Sequence, residues 1–233
     1  MGNKETSSQS EDIVNNLRPA WTTLMKELAP NADDVAVKAI FEDLVTRYSE
    51  PTRHYHTLCH VSEMLNYAEQ YQASIKNKNI VLTSIWFHDA IYDSTANDNE
   101  EQSAEFARNS LTTLGVANDV MDKVAQYTLD TKSHIPSDVQ DEDLALFLDF
   151  DMAILAADPL RYDEYAKGIE EEYSWAKNVN GQDLYTSGRL SFLQSAITKP
   201  EIFYSKELKP IEPQARSNMQ REATLLASLG NNP

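Results

Sequence analysis

The chain has 233 residues, of which 41% are apolar and 24% charged, a balance ordinary for a folded protein with a sizeable core. Acidic residues outnumber basic ones by 37 to 20, and a formal charge of -17 repels nucleic-acid backbones and anionic membranes. We therefore expect neither a nucleic-acid duplex nor a membrane as partner, and no stretch reaches the roughly 20 apolar residues of a membrane span.

Cysteine usage and the N-terminus bear on the compartment. Cys59 is the one cysteine, so no disulfide can form within the chain, which suits a reducing environment. Residues 1–11 lack the apolar run of a signal peptide. A cytoplasmic location is the resulting expectation.

The predicted elements, taken in chain order, are all helical. Residues 1–10 are polar and predict a disordered tail, after which apolar residues recur every three or four positions up to Leu28. Further helices are predicted over residues 33–48, 61–71, 77–92, 100–114, 118–132, 141–157, 159–176, 183–197 and 213–229. No alternating strand pattern of useful length occurs, and six glycines are few for a parallel α/β fold. We predict one helical bundle over residues 11–230.

Histidines cluster just before the third predicted helix. His54, His56 and His60 fall within seven residues, and on a helix the last two would share a face. Neutral imidazole is the commonest metal ligand, so the cluster is a candidate half-site, although such histidines could also simply begin a helix. The spacing lacks the glutamate that a zinc metalloprotease needs, which excludes that class.

A second unusual pair, His88 and Asp89, follows an apolar run within the predicted helix 77–92. Burying an unpaired carboxylate costs several kcal/mol, and a divalent cation would offset that cost. An arginine paired with Asp89, or a capping role for it, would also explain the pair. Farther on, Asp149 and Asp151 lie in another apolar helix. They are two residues apart, so their side chains point to different faces of that helix.

The order His60, then His88 and Asp89, then Asp151 resembles that of the HD superfamily of metal-dependent phosphohydrolases. Four stretches are similar to a subgroup of predicted HD phosphohydrolases, and together they span most of residues 40–220. They are residues 53–56 (Arg-His-Tyr-His), 87–92 (Phe-His-Asp-Ala-Ile-Tyr), 98–104 (Asp-Asn-Glu-Glu-Gln-Ser-Ala) and 188–189 (Gly-Arg).

The resemblance implies an HD-type all-α bundle in which ligands from different helices meet around one divalent ion (Mn, Mg, Fe, Co, Ni or Zn). The implied ligands are His60, His88, Asp89 and Asp151, with Asp149 as the second choice for the last position. The ion would bind a phosphate oxygen of a small phosphate ester or nucleotide and activate a water to attack phosphorus.

Further roles follow from the same resemblance. Asp89, Glu100 and Glu101 are candidates for orienting the water or for general acid–base catalysis, although the two glutamates could equally be an acidic first helical turn. Residues expected at a second ion or at the phosphate are His56, His134, Arg53, Lys132 and Arg189, and those expected to support the ligands are Asp149 and His54.

Two other functions stay open at this point. An HD-like di-iron oxygenase would need further ligands, which His56 and His134 could supply. A non-catalytic nucleotide sensor would bind without turnover. A homo-oligomer is compatible with each of them.

Overall fold

In a computed structural model the chain is all-helical, which confirms the predicted fold class. The structure describes residues 3–179 and 183–229, and this part of the chain contains ten α-helices and no β-strand. They are α1 (Asn3–Leu28), α2 (Asp34–Tyr48), α3 (Leu58–Gln70), α4 (Lys78–Phe87), α5 (Asn99–Thr113), α6 (Asn118–Asp130), α7 (Glu142–Met152), α8 (Pro159–Glu172), α9 (Leu184–Thr198) and α10 (Glu212–Leu229). Among these residues, no helix has both the length and the hydropathy to cross a bilayer.

The helices group into two compact units, Met1–Asp138 with α1 to α6 and Val139–Pro233 with α7 to α10. The predicted tail over residues 1–10 and the predicted domain over residues 11–230 stay predictions. Helix α1 begins at Asn3, inside the stretch for which a tail is predicted.

Local sequence signals set several helix ends. The side chain of Asp33 caps α2 by accepting from the Val35 N–H, and that of Asp158 caps α8, which starts with a proline. Gly115, just beyond α5, has a φ of 73°, in the left-handed region where glycine is favoured. These breaks lie where the sequence predicts them.

Two of the helix ends that differ from the prediction lie next to the histidines. Helix α4 stops at Phe87 rather than continuing to residue 92. Helix α3 begins at Leu58 because Thr57 is extended and its side chain accepts from the Cys59 N–H. His56 therefore lies outside the helix, so the helical face that it would share with His60 on a helix is not formed.

Aromatic packing fixes the carboxyl end of α4 in the core of the first unit. Trp21, Phe41, Trp86 and Phe87 are each at most 1% exposed. Trp21 meets Trp86 edge to face at 5.5 Å and Phe87 at 6.0 Å, contacts worth about 0.5–1.5 kcal/mol each beyond their area. The Tyr48 hydroxyl at the end of α2 donates to the Trp86 carbonyl at 3.2 Å. The backbone that carries His88 is thus held rigidly.

The second unit is held by polar groups buried between its helices. Asn218 of α10 donates to the carbonyls of Leu155 and Ala157, at 2.9 and 2.8 Å, just after α7. Arg189 of α9 forms two hydrogen bonds with Glu222 of α10, at 2.8 and 3.0 Å, and both side chains are under a tenth exposed. These contacts join α7, α9 and α10.

Candidate metal centre

The His88 ring is oriented by its own helix. Its Nδ1 lies 2.9 Å from the Ile85 carbonyl oxygen, which can only accept, so Nδ1 carries the proton. Its Nε2 then faces Asp89 Oδ2 and His60 Nε2 and is the ring atom available to a metal, the orientation that metal-binding histidines require. The side chain is fully buried.

His60 reaches the same point from the first turn of α3. It is 2% exposed, and its Nδ1 lies 3.1 Å from the hydroxyl oxygen of Tyr55. The hydroxyl can accept a hydrogen bond from the His60 Nδ1–H. In that arrangement Nε2 of His60 has the lone pair that could bind a metal.

Three ligand atoms converge within the first unit. His60 Nε2 and His88 Nε2 are 3.2 Å apart, His88 Nε2 and Asp89 Oδ2 are 3.0 Å apart, and His60 Nε2 and Asp89 Oδ2 are 3.9 Å apart. Atoms bound about 2.1 Å from one ion, at tetrahedral or octahedral angles, lie roughly 3.0–3.4 Å apart. The two separations that involve His88 Nε2 match this range, and the 3.9 Å between His60 Nε2 and Asp89 Oδ2 exceeds it by about 0.5 Å. The three side chains could hold a small divalent cation after a small shift of the Asp89 carboxylate, which is 18% exposed and lies on the side of the cluster nearest solvent.

Arg53 lies beside this cluster with its side chain fully buried. Its guanidinium donates to the backbone carbonyls of His56, Asp89 and Ala90 at 3.1, 2.7 and 3.0 Å, and Nε donates to Glu50 at 3.2 Å. These bonds use four of the five N–H groups of the guanidinium. The geometry gives Arg53 backbone partners at the place where the sequence suggested a phosphate contact.

The other histidines of this unit lie farther out. The His56 ring stacks on Tyr92 at 4.2 Å and its centroid is 6.0 Å from that of His60, whereas His54 is exposed. His134 is half-buried beyond α6, with a φ of 49° and its backbone N–H bonded to the Asp130 carbonyl. A second-ion role for His56 or His134 stays a prediction.

The two glutamates that open α5 differ in their surroundings. Glu101 is half exposed and accepts from Lys132 Nζ at 2.5 Å, a hydrogen bond that holds the pKa of Glu101 below its usual value. Glu100 is 26% exposed and lies 3.8 Å from the same ammonium. It precedes Ser103 by one turn, so it shares the side of α5 that contacts residue 91.

Three predicted residues lie in the second unit. Asp151 is the next-to-last residue of α7 and is half-buried. Asp149 is 1% exposed, and its two oxygens accept from the backbone N–H groups of Tyr204 and Ser205 at 2.8 and 2.6 Å. Burial raises the pKa of Asp149 to about 6, against the opposing effect of these hydrogen bonds. Arg189 is occupied by Glu222, as described above.

Sequence reasoning missed two side chains that contact a candidate ligand or the backbone beside one. Tyr55 lies inside the Arg-His-Tyr-His stretch of residues 53–56, but no role was predicted for it, and Ser103, inside the acidic stretch of residues 98–104, was not singled out. Their placement inside motif-like stretches is the signal that could have found them. No family model, curated protein or solved structure matches this chain.

Proposed function

We propose that this chain is a metal-dependent phosphohydrolase in which His60, His88 and Asp89 bind one divalent cation. The observation that carries the proposal is the convergence of two imidazole nitrogens and one carboxylate oxygen within 3.0–3.9 Å in a largely buried place. Asp151 completes the ligand set in this proposal, on the strength of the order of residues in the sequence. Asp149 is less suited, because its oxygens already accept two backbone N–H groups.

The types of ligand atom in this cluster narrow the choice of metal ion. Imidazole suits Zn, Fe, Ni and Co, and mixed sets with carboxylate also suit Mn, whereas Mg prefers oxygen ligands throughout. When bound, such a cation supplies Lewis-acid polarisation of a phosphate oxygen and a nucleophilic water near neutral pH.

The chain's own acids divide the remaining work. Asp89 lies at the open side of the cluster, where it can orient an attacking water as well as bind the cation. Glu100 is the better candidate for general acid–base catalysis, because the Glu101 carboxylate already accepts a hydrogen bond from Lys132 Nζ, whereas Glu100 lies 3.8 Å from that ammonium and is less exposed.

The substrate in this proposal is a small phosphate ester or nucleotide, hydrolysed in the cytoplasm. The formal charge of -17 opposes any anion at long range, so the phosphate charge must be met locally. Lys132 is a half-exposed cation beside the acids of α5 and can serve in this way. Arg53 and Arg189 are committed to buried partners.

The test is a screen of nucleotides and phosphomonoesters against the metal-free protein supplemented with Mn, Co, Mg, Ni or Fe. We expect metal-dependent release of phosphate that is lost in His88→Ala and retained in His54→Ala, the same change at an exposed histidine. Glu100→Gln should slow turnover by about 10²–10⁴-fold, and Glu101→Gln far less.

Two outcomes would replace the proposal. Two irons per chain with an optical band would indicate the oxygenase. Tight nucleotide binding without turnover for any metal would indicate a sensor. Wild-type metal content in both His88→Ala and Asp89→Ala would remove the metal centre itself.

A further inference from the structure

The backbone that follows the His-Asp pair leaves the helix and turns sharply. Helix α4 ends at Phe87 and α5 begins only at Asn99. The peptide groups of Asp89, Ala90 and Ile91 therefore lack a helical ladder, and buried peptide groups need other partners. We call residues 88–91 the corner.

Arg53 supplies partners from one side. Its guanidinium donates to the carbonyls of Asp89 and Ala90, 36 and 37 positions later in the chain, at 2.7 and 3.0 Å. The same Nη1 donates to the carbonyl of His56, in the segment that leads into α3 and His60. The rings of Tyr48 and Tyr92 lie 5.0 and 5.5 Å from the guanidinium carbon. One side chain thus ties together the two stretches that carry the histidine ligands.

Ser103 supplies partners from the other side. Its hydroxyl accepts from the Ile91 N–H at 3.0 Å and donates to the Ile91 carbonyl at 3.2 Å. The residue is fully buried in α5, one turn after Glu100. The Ser103 hydroxyl alone therefore forms hydrogen bonds with both the backbone N–H and the backbone carbonyl of Ile91.

We propose that Arg53 and Ser103 are positioning residues of the metal centre, and this inference rests on the proposed function. A metal site works only when its ligand atoms are held within about 0.5 Å of their productive positions. The 3.0 and 3.2 Å separations of His88 Nε2 from Asp89 Oδ2 and from His60 Nε2 depend on where the corner sits relative to α3. Arg53 and Ser103 fix that placement.

The positive charge of Arg53 does not by itself account for its contacts. A fully buried guanidinium with three carbonyl partners uses the planar fork of arginine, which a lysine ammonium cannot reproduce. Lysine at this position keeps the charge and loses the simultaneous contact with both stretches. The substitution Arg53→Lys therefore separates positioning from electrostatics.

The experiment measures Co²⁺ binding by the metal-free protein, by calorimetry and by the visible absorption spectrum of the loaded site. Arg53→Lys and Ser103→Ala should each weaken Co²⁺ binding about 10–100-fold and shift the spectrum, since the spectrum reports ligand geometry. The matched controls are Arg47→Lys, the same change at an arginine that is paired with Asp43 and stacked on Phe106, and Ser110→Ala, two turns later in α5. Both controls should match the wild type in affinity and spectrum.

The outcomes distinguish a failure of the positioning role from a failure of the metal centre itself. If the wild type binds Co²⁺ and both Arg53→Lys and Ser103→Ala bind it equally well with an unchanged spectrum, the positioning role is overturned while the metal centre stands. Equal weakening in Arg47→Lys and Ser110→Ala would reduce the effect to general destabilisation and would also overturn it. Failure of the wild type to bind any divalent metal would remove the proposed function and this inference with it.

Discussion

The substitution His88→Asn removes a candidate ligand atom and keeps the hydrogen bond that orients the side chain. In the wild type, Nδ1 of His88 donates to the Ile85 carbonyl at 2.9 Å while Nε2 lies 3.2 Å from Nε2 of His60. The asparagine amide can donate to the same carbonyl but has no atom at the position of Nε2. The variant should be less stable without metal, because buried ring atoms and the contact with Asp89 are lost, and its stabilisation by metal should be lost as well.

The size of the effect follows from mass action. A cation present at 100 times its dissociation constant stabilises the folded wild type by about 2.7 kcal/mol, or roughly 5–10 °C in Tm for a chain of this length. A 100-fold loss of affinity leaves about 0.4 kcal/mol, or roughly 1 °C, at the same metal concentration.

Thermal unfolding followed by circular dichroism, with and without Co²⁺, measures both quantities. The control is His54→Asn, the same substitution at an exposed histidine, which should keep the full metal-dependent rise in Tm. If His88→Asn also kept that rise, His88 would not be a ligand and the geometric reasoning would fail.

The remaining predictions concern Tyr55, Glu222 and Asp149. Tyr55→Phe removes the hydroxyl 3.1 Å from His60 Nδ1 and should weaken metal binding about 10-fold or more by calorimetry; an unchanged affinity would contradict the orienting role. Glu222→Gln breaks a buried ion pair and should cost about 3–5 kcal/mol in urea unfolding, and Arg189→Met with Glu222→Leu should cost less than the two single changes summed. The folded pKa of Asp149, about 6, exceeds the ordinary 3.8, so stability from its protonated form is present below 3.8 and lost as pH rises through 6. Asp149→Asn should flatten that part of the pH profile of the unfolding free energy, and an unaltered profile would refute the assignment.

Helical periodicity predicts the fold class well because each helix buries one face, and a period of 3.6 is written in the sequence itself. The start of α3 and the end of α4 are among the helix ends that it misplaced. Helix α3 begins at Leu58, before the predicted residue 61, because Thr57 is extended and caps it, and the chain turns after Phe87 although residues 88–92 look helical. Both errors fell beside the candidate ligands, where local preference and function compete.

The sequence indicated which residue types belong to the candidate site, but not their hydrogen-bond partners or ring orientations. One alternative interpretation of the sequence paired the Asp89 side chain with an arginine; Arg53 lies beside Asp89, but it donates to the Asp89 backbone carbonyl. Partners 36 positions apart cannot be assigned from spacing, and the tautomer of His88 depends on a carbonyl whose position only the folded backbone defines. The contacts of Tyr55 with His60 and of Ser103 with Ile91 could not be predicted because they too depend on the folded backbone.

The location of His88 at the carboxyl end of α4 has a consequence for the order of events. Aligned peptide dipoles give that end of a helix about half a negative charge, which attracts a cation and repels an anion. Asp89 adds the charge of its carboxylate beside that helix end. In the proposed function, a phosphate that arrived first would be repelled by both groups, so we expect the metal ion to bind before the phosphate and to bridge these groups of like sign.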